Sequence, residues 1–385
     1  MLKPKLSTCT KTNRLKMKNQ LSLLIGILLF NYGIGQSNSS INDLEVSGAQ
    51  ISEKQADIIF EKTKIFPDNT QLSIGIIKNG KILYYGVKRS GDTLQKVDNY
   101  HDIFEIGSLT KLFTSTLLAN FVLEDKIKLK DPIQKYFNFQ VANDQVTVLQ
   151  LANHTSGLPK LPSNLNLAAV DQSNPYKDYD EQKLIKYLTS ELEIITTPGT
   201  KYEYSNIGAG ILGYLLEVQS HLTYEELLQK YILSKYNMHN TTTNNDKINL
   251  KLVYGLDLNG KKTSNWNLNS LVAAGGILSN IEDLSKFAVA QFSDTNEELH
   301  LTRRPTFEQQ EYKMETGLAW KIIKPDANIN IYAHNGGTGG YSSMITLDTR
   351  NKKGVIILSN VSAFHNDARN IDQLCIQLLK TLYTK

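Results

Sequence analysis

The sequence predicts an α+β fold: an antiparallel sheet built from both ends of the chain, flanked by N- and C-terminal helices, with a mostly helical lobe inserted between. Three patterns lead there. Two strand-like runs joined by Asn79-Gly80 stand in the first quarter, and further strand-like runs follow residue 315. Helix-period segments open and close the folded part, at about 50–64 and 366–382. Between about 116 and 280 the chain reads as helices and loops.

Taken in order, the first residues stand apart. Lys3, Lys5, Lys11, Arg14, Lys16 and Lys18 are basic, and no acid occurs before Gln36. Leu21–Phe30 is a short apolar run, followed by Gly33 and Gly35 and a polar Ser/Asn stretch. Residues 1–36 read as a secretory signal peptide, and Met17-Lys18 would open a leader of ordinary length. The apolar run is short for a bilayer span, and no cysteine ends it, so a retained or lipid anchor is not expected. A periplasmic or secreted protein is. The whole chain carries +4, and without the leader about −2. The basic excess belongs to the leader and excludes a nucleic-acid partner.

The remainder, 45–385, is long enough for a large core. It is expected to form one domain of two lobes, an α/β lobe from about 45–115 plus 281–385 and a helical lobe over about 116–280. Gln50–Lys64 reads as a helix. Leu72–Ile77 and Ile82–Val87 read as a hairpin through Asn79-Gly80. Next comes Phe104–Phe113, a strand-like run entering, through Gly107, a helix whose apolar residues Leu109, Leu112, Phe113, Leu117 and Phe121 fit one face. Asp131-Pro132-Ile133 reads as a helix start with proline in the first turn. Residues 149–159 run from a helix into a turn, and 180–191 and 207–220 are helical. Leu318–Ile323, Tyr341–Leu347 and Gly354–Leu358 read as strands. Cys9 leaves with the leader, so Cys375, on the closing helix, has no partner and reads as a buried structural thiol. There is no H-E-x-x-H and no paired-cysteine spacing, so neither metal nor cofactor is expected.

Three short segments carry chemistry. Ser108 and Lys111 are three apart at a helix start, which puts a hydroxyl beside an amine on one helical face. The serine sits by unpaired N–H groups, and a desolvated lysine near another cation can act as a base. This is the chain's one S-x-x-K. Taken alone, Ser108 reads equally as a helix N-cap. Tyr204-Ser205-Asn206 follows the turn Thr197-Pro198-Gly199-Thr200. A phenol facing a cleft can move protons if cations lower its pKa, and the Asn206 amide can orient a lysine or a substrate carbonyl. Tyr136-Phe137-Asn138 has the same spacing, but its Phe137 reads as core. Last, His334-Asn335-Gly336-Gly337 precedes a strand, and glycines there allow close approach of a ligand along a strand edge. A backbone N–H near Gly337 can complete an oxyanion hole with that of Ser108, and His334 can offer a hydrogen bond or charge to a carboxylate or to Tyr204.

These segments resemble the serine β-lactamase/DD-peptidase superfamily, on its class C side. Ser108-Leu109-Thr110-Lys111 is similar to its S-x-x-K, Tyr204-Ser205-Asn206 to its Y-x-N and His334-Asn335-Gly336 to its K/H-T-G strand, in the same order. Lesser matches are residues 154–159, Pro198-Gly199 and Ala274–Ser279. The resemblance covers about 70–360. It implies a β-lactamase/transpeptidase-like fold and an acyl-enzyme mechanism with Ser108, Lys111 and Tyr204 catalytic. Asn206, His334, Asn335, Gly336 and Gly337 would bind substrate. It implies no cofactor and a β-lactam or peptidoglycan stem peptide as substrate; a monomer with no stable membrane anchor is expected. Histidine and asparagine in place of the lysine and threonine weaken the expected grip on a β-lactam carboxylate. Amide hydrolysis therefore ranks first, an esterase or D-amino-acid peptidase second, and an acylating sensor without turnover third.

Overall fold

A computed structural model describes residues 46–383, apart from 49, 144, 245, 247–250 and 327. The leader predicted over 1–36 lies outside the described residues. A nine-stranded antiparallel sheet is drawn from the two ends of the chain. Its strands are β1 (Gln71–Lys78), β2 (Lys81–Ser90), β3 (Thr93–Val97), then β6 (Phe307–Gln309), β7 (Met314–Thr316), β8 (Lys321–Asp326), β9 (Ile329–Gly337), β10 (Ser342–Asp348) and β11 (Lys353–Ser359). They run in the order β3-β2-β1-β11-β10-β9-β8-β7-β6. A separate two-residue ladder joins β4 (Phe104–Glu105) to β5 (Leu278–Ser279). Asn79 and Gly80 both take positive φ, the turn expected of that pair between β1 and β2.

The α-helices are α1 (Glu53–Thr63), α2 (Thr110–Leu123), α3 (Val148–Ala152), α4 (Glu181–Lys186), α5 (Asn206–Ser220), α6 (Tyr224–Leu228), α7 (Val272–Gly275), α8 (Ile281–Ala290), α9 (Glu297–Arg303) and α10 (Arg369–Thr381). The terminal helices α1 and α10 share one side of the sheet. α1 begins at a capping box, in which Ser52 and Gln55 each accept from the other's backbone N–H. α10 presents Ile371, Leu374, Cys375, Leu378 and Leu379, all buried, at the spacing of a single apolar stripe. At about 1.5–3 kcal/mol for each large side chain, that stripe holds α10 on the sheet. Residues Leu72, Ile74 and Ile76 of β1 face it, whereas Ile77 and Ile82 face the larger core shared with the helical segments. The fold expected from the sequence, a sheet flanked by terminal helices with a helical insertion, is the fold observed.

Local expectations needed correction. Residues 318–320 are not strand, and β8 starts only at Lys321. The segment after Asp131-Pro132 is a single 3-10 turn, Ile133–Tyr136. α2 is not amphipathic: Thr110 through Ala119 are all buried. It runs through the interior, and its hydroxyls find partners there: Thr116 Oγ1 donates to Leu112 O, Thr114 Oγ1 donates to Ala273 O at 2.7 Å, and Thr110 Oγ1 accepts from Ile277 N–H.

Candidate active site

Residues 106–108 are pressed against the end of β9. Ser343 Oγ donates to Ile106 O at 2.8 Å, and Ile106 N–H donates to Ile277 O at 3.1 Å. Gly107 has φ +51°, and a Cβ there would lie 2.5 Å from the Gly337 nitrogen. A Cβ on Gly336 would lie 2.2 Å from Ile106 O and 3.0 Å from the Ser108 nitrogen. Only glycine admits this approach of two backbones, and the approach sets the Ser108 and Gly337 amides side by side. The register of β8 with β9 stops at Lys321↔Ala333, so β9 from His334 to Gly337 has no β8 partner on that edge.

Ser108 sits in a 3-10 turn, Gly107–Leu109, that feeds α2. One turn on, Lys111 is almost fully buried. Its Nζ lies 3.0 Å from Ser108 Oγ, 2.9 Å from Asn206 Oδ1 and 2.6 Å from the Ala274 carbonyl oxygen. Burial, assisted by the positive charge of Lys160, pushes its pKa well below the usual lysine range.

Tyr204 and Asn206 reach the same point from the helical lobe. The turn after α3 pairs with the segment before α5: Glu203 N–H donates to His154 O, Ser205 Oγ to Pro159 O and Asn206 N–H to Lys160 O. Ser205 N–H donates to His154 Nδ1 at 3.2 Å, and the Ser205 hydroxyl caps α5 by accepting from Gly208 N–H. The His154 ring lies 4.5 Å from that of Tyr204. Burial lowers His154 to about 3, so it is a neutral prop. Held this way, Tyr204 OH donates to Ser108 Oγ at 2.6 Å. Its ring lies 4.9 Å from Lys111 Nζ. Burial raises the phenol well above its ordinary range, opposite to the lowering envisaged from the sequence: desolvation outweighs the hydrogen bond with Ser108.

Ser108, Tyr204, Asn206, Asn335, Gly336 and Gly337 line one cleft of about 1400 Å³, while Lys111 is buried in its floor. His334 is placed differently from the other predicted site residues. Its ring is buried beneath β9, with Nδ1 on Asn335 O at 2.8 Å, and does not line the cleft. Burial, with the nearby Lys321, holds it well below its ordinary pKa, so it carries no charge to offer a substrate. The look-alike Tyr136-Phe137-Asn138 is structural: Tyr136 OH donates to Asp131, and Phe137 stacks on Phe139.

Sequence reasoning passed over Glu105 and Lys321. Glu105, 4% exposed, accepts from Asn265 Nδ2 at 2.9 Å and Trp266 N–H at 2.8 Å, tying the cleft wall to the strand that leads to Ser108. Its position before the S-x-x-K segment was the available signal. For Lys321, which lines the cleft, no sequence signal pointed to the site.

The family model "Beta-lactamase" matches residues 68–377. Protein flp of Staphylococcus aureus (strain MW2) is 24% identical over 81% of the chain, and the match spans only 64% of the length of that relative. A beta-lactamase of Pseudomonas fluorescens is 26% identical over 76% of this chain and 89% of its own. Among solved structures, the beta-lactamase/D-alanine carboxypeptidase from Yersinia pestis superposes with a TM-score of 0.70 at 21% identity, covering 86% of this chain and 100% of that one. The chain belongs to the beta-lactamase family, a family of serine hydrolases.

Proposed function

We propose that this beta-lactamase-family chain hydrolyses β-lactam or D-Ala-D-Ala-type amide bonds through an acyl-enzyme on Ser108. The observation that carries the reading is the double contact on one hydroxyl: Lys111 Nζ at 3.0 Å and Tyr204 OH at 2.6 Å from Ser108 Oγ. Burial favours the neutral amine of Lys111. Two of its three contacts, Asn206 Oδ1 and Ala274 O, are acceptors with no proton to give. A neutral amine spends both N–H groups on them and turns its lone pair to Ser108. Lys111 is then the general base and takes the hydroxyl proton as Oγ attacks the carbonyl. Tyr204 stays a phenol, donates toward Oγ, and relays a proton to the leaving amine when the tetrahedral intermediate collapses. The paired amides of Ser108 and Gly337 receive the oxyanion. Water releases the acyl group by the reverse proton path.

Ester hydrolysis at the same serine is the second reading, favoured by the uncharged His334 where related enzymes carry a lysine. Fluorescent penicillin, nitrocefin, a D-Ala-D-Ala peptide and p-nitrophenyl butyrate tested together separate these readings. Rapid label release with peptide or nitrocefin turnover supports the first, and turnover of the butyrate alone supports the second. Persistent label without turnover indicates an acylating sensor. Ser108→Ala is expected to abolish labelling while keeping the fold; labelling that survives refutes the assignment. The basic, apolar leader over 1–36 supports export to the periplasm or medium, which N-terminal sequencing of the recovered protein tests.

A further inference from the structure

The oxyanion hole rests on the Gly337 amide, and the turn that follows has few side chains with which to hold itself. Thr338 is succeeded by Gly339 and Gly340. The ties of this turn therefore run to other segments. Thr338 N–H donates to Tyr341 O at 2.9 Å, and Ala363 N–H donates to Thr338 O at 3.1 Å. The Thr338 hydroxyl donates to the buried carboxylate of Glu105. Trp266 packs on the turn: a Cβ on Gly339 would lie 2.7 Å from its Nε1.

Glu105 connects these parts. It stands in β4, three residues before Ser108, and pairs with Leu278 of β5. One of its oxygens accepts from both Trp266 N–H and Asn265 Nδ2, and Asn265 Nδ2 also donates to Tyr341 OH at 2.9 Å. Tyr341 OH in turn donates to Val253 O at 2.6 Å, and its ring meets that of Phe104 edge-on. A single carboxyl group thus takes donors from the turn after Gly337 and from the loop that carries Trp266, while its own strand leads to Ser108. Among the described residues it has no ion-pair partner, so its contribution is to accept hydrogen bonds. It does not line the cleft and takes no part in the proton path from Ser108.

We propose that Glu105 is a positioning residue for acyl transfer: it clamps the Thr338 turn to the Trp266 loop behind the nucleophile, and so holds the Gly337 amide where the oxyanion forms. This rests on the reading of Ser108 as nucleophile, and the test separates the two. An uncharged alkyl fluorophosphonate forms an Oγ–P bond at Ser108 as fluoride leaves, and run to completion it counts intact sites. Its rate constant per counted site reads the oxyanion hole. So does the affinity of phenylboronic acid, which adds to Oγ as a tetrahedral anion. Glu105→Ala should lower both by about tenfold or more, short of the loss of about 10²–10³ on removing an oxyanion donor, because the amide is displaced rather than deleted. Glu105→Gln keeps an acceptor for Asn265 and Trp266 and should recover most of both. A merely structural role would reduce the number of intact sites and leave both per-site values unchanged.

Thr338→Val tests the same tie from the other end. It removes the hydroxyl at nearly constant shape and should lower both per-site values, with Thr338→Ser restoring them. Wild-type values in either Glu105→Ala or Thr338→Val overturn the clamp and leave Ser108 standing. So does a Glu105→Gln variant no faster than Glu105→Ala. Where Glu105→Ala yields no intact sites, Thr338→Val decides. A wild-type protein that is not labelled, or labelling that persists in Ser108→Ala, overturns the nucleophile and this inference with it.

Discussion

Glu105→Gln tests whether a buried acid beside the nucleophile segment costs the fold stability. Among the described residues Glu105 has no ion-pair partner; burial pushes its carboxyl from 4.5 up to about 7, against hydrogen bonds from Thr338, Asn265 and Trp266. The folded state therefore holds the carboxyl proton to higher pH than the unfolded chain does. Between pH 4.5 and 7 the folded state binds more protons, so stability falls as pH rises, and above 7 the loss is complete. At 1.36 kcal/mol per pKa unit the loss is about 3 kcal/mol. Gln keeps Oε1 as acceptor for Asn265 and Trp266 and cannot ionise. Urea unfolding at pH 5, 6, 7 and 8 is expected to show the stability of Glu105→Gln relative to wild type rising by about 2.5 kcal/mol across that range. A difference that stays flat, or falls with pH, would refute the account of Glu105 as an unpaired buried acid.

Two further substitutions separate chemistry from scaffold. Tyr204→Phe removes only the hydroxyl 2.6 Å from Ser108 Oγ, so circular dichroism and melting temperature should hold while the acylation rate falls about 10²–10⁴-fold; an unchanged rate would remove Tyr204 from the proton path. Gly157→Ala should behave in the opposite way. Gly157 has φ +72°, and a Cβ there would lie 1.9 Å from the Thr196 carbonyl oxygen, in the pairing that presents Tyr204. The positive φ alone costs about 1–2 kcal/mol and the backbone overlap adds to it, so the melting temperature should fall markedly, and a variant as stable as wild type would contradict the described turn.

What was legible in the sequence is what depends on local pattern or residue chemistry. The Asn79-Gly80 turn and the closing helix are properties of adjacent residues, and both are found where the sequence places them. The S-x-x-K spacing predicts its own geometry, because three residues along a helix span less than one turn. What was not legible depends on depth. The apolar residues of α2 mark one face, but nothing local says that both faces are covered, and the interior position of the helix favours the neutral amine of Lys111. Depth also silences His334. A histidine in that position reads as a charge, yet alternation along β9 sends its ring inward and sends Asn335 to the side of Lys321 and Asp372. Lys321 was unreadable because its relation to Asn335 exists only across the β8–β9 register, 14 residues away along the chain.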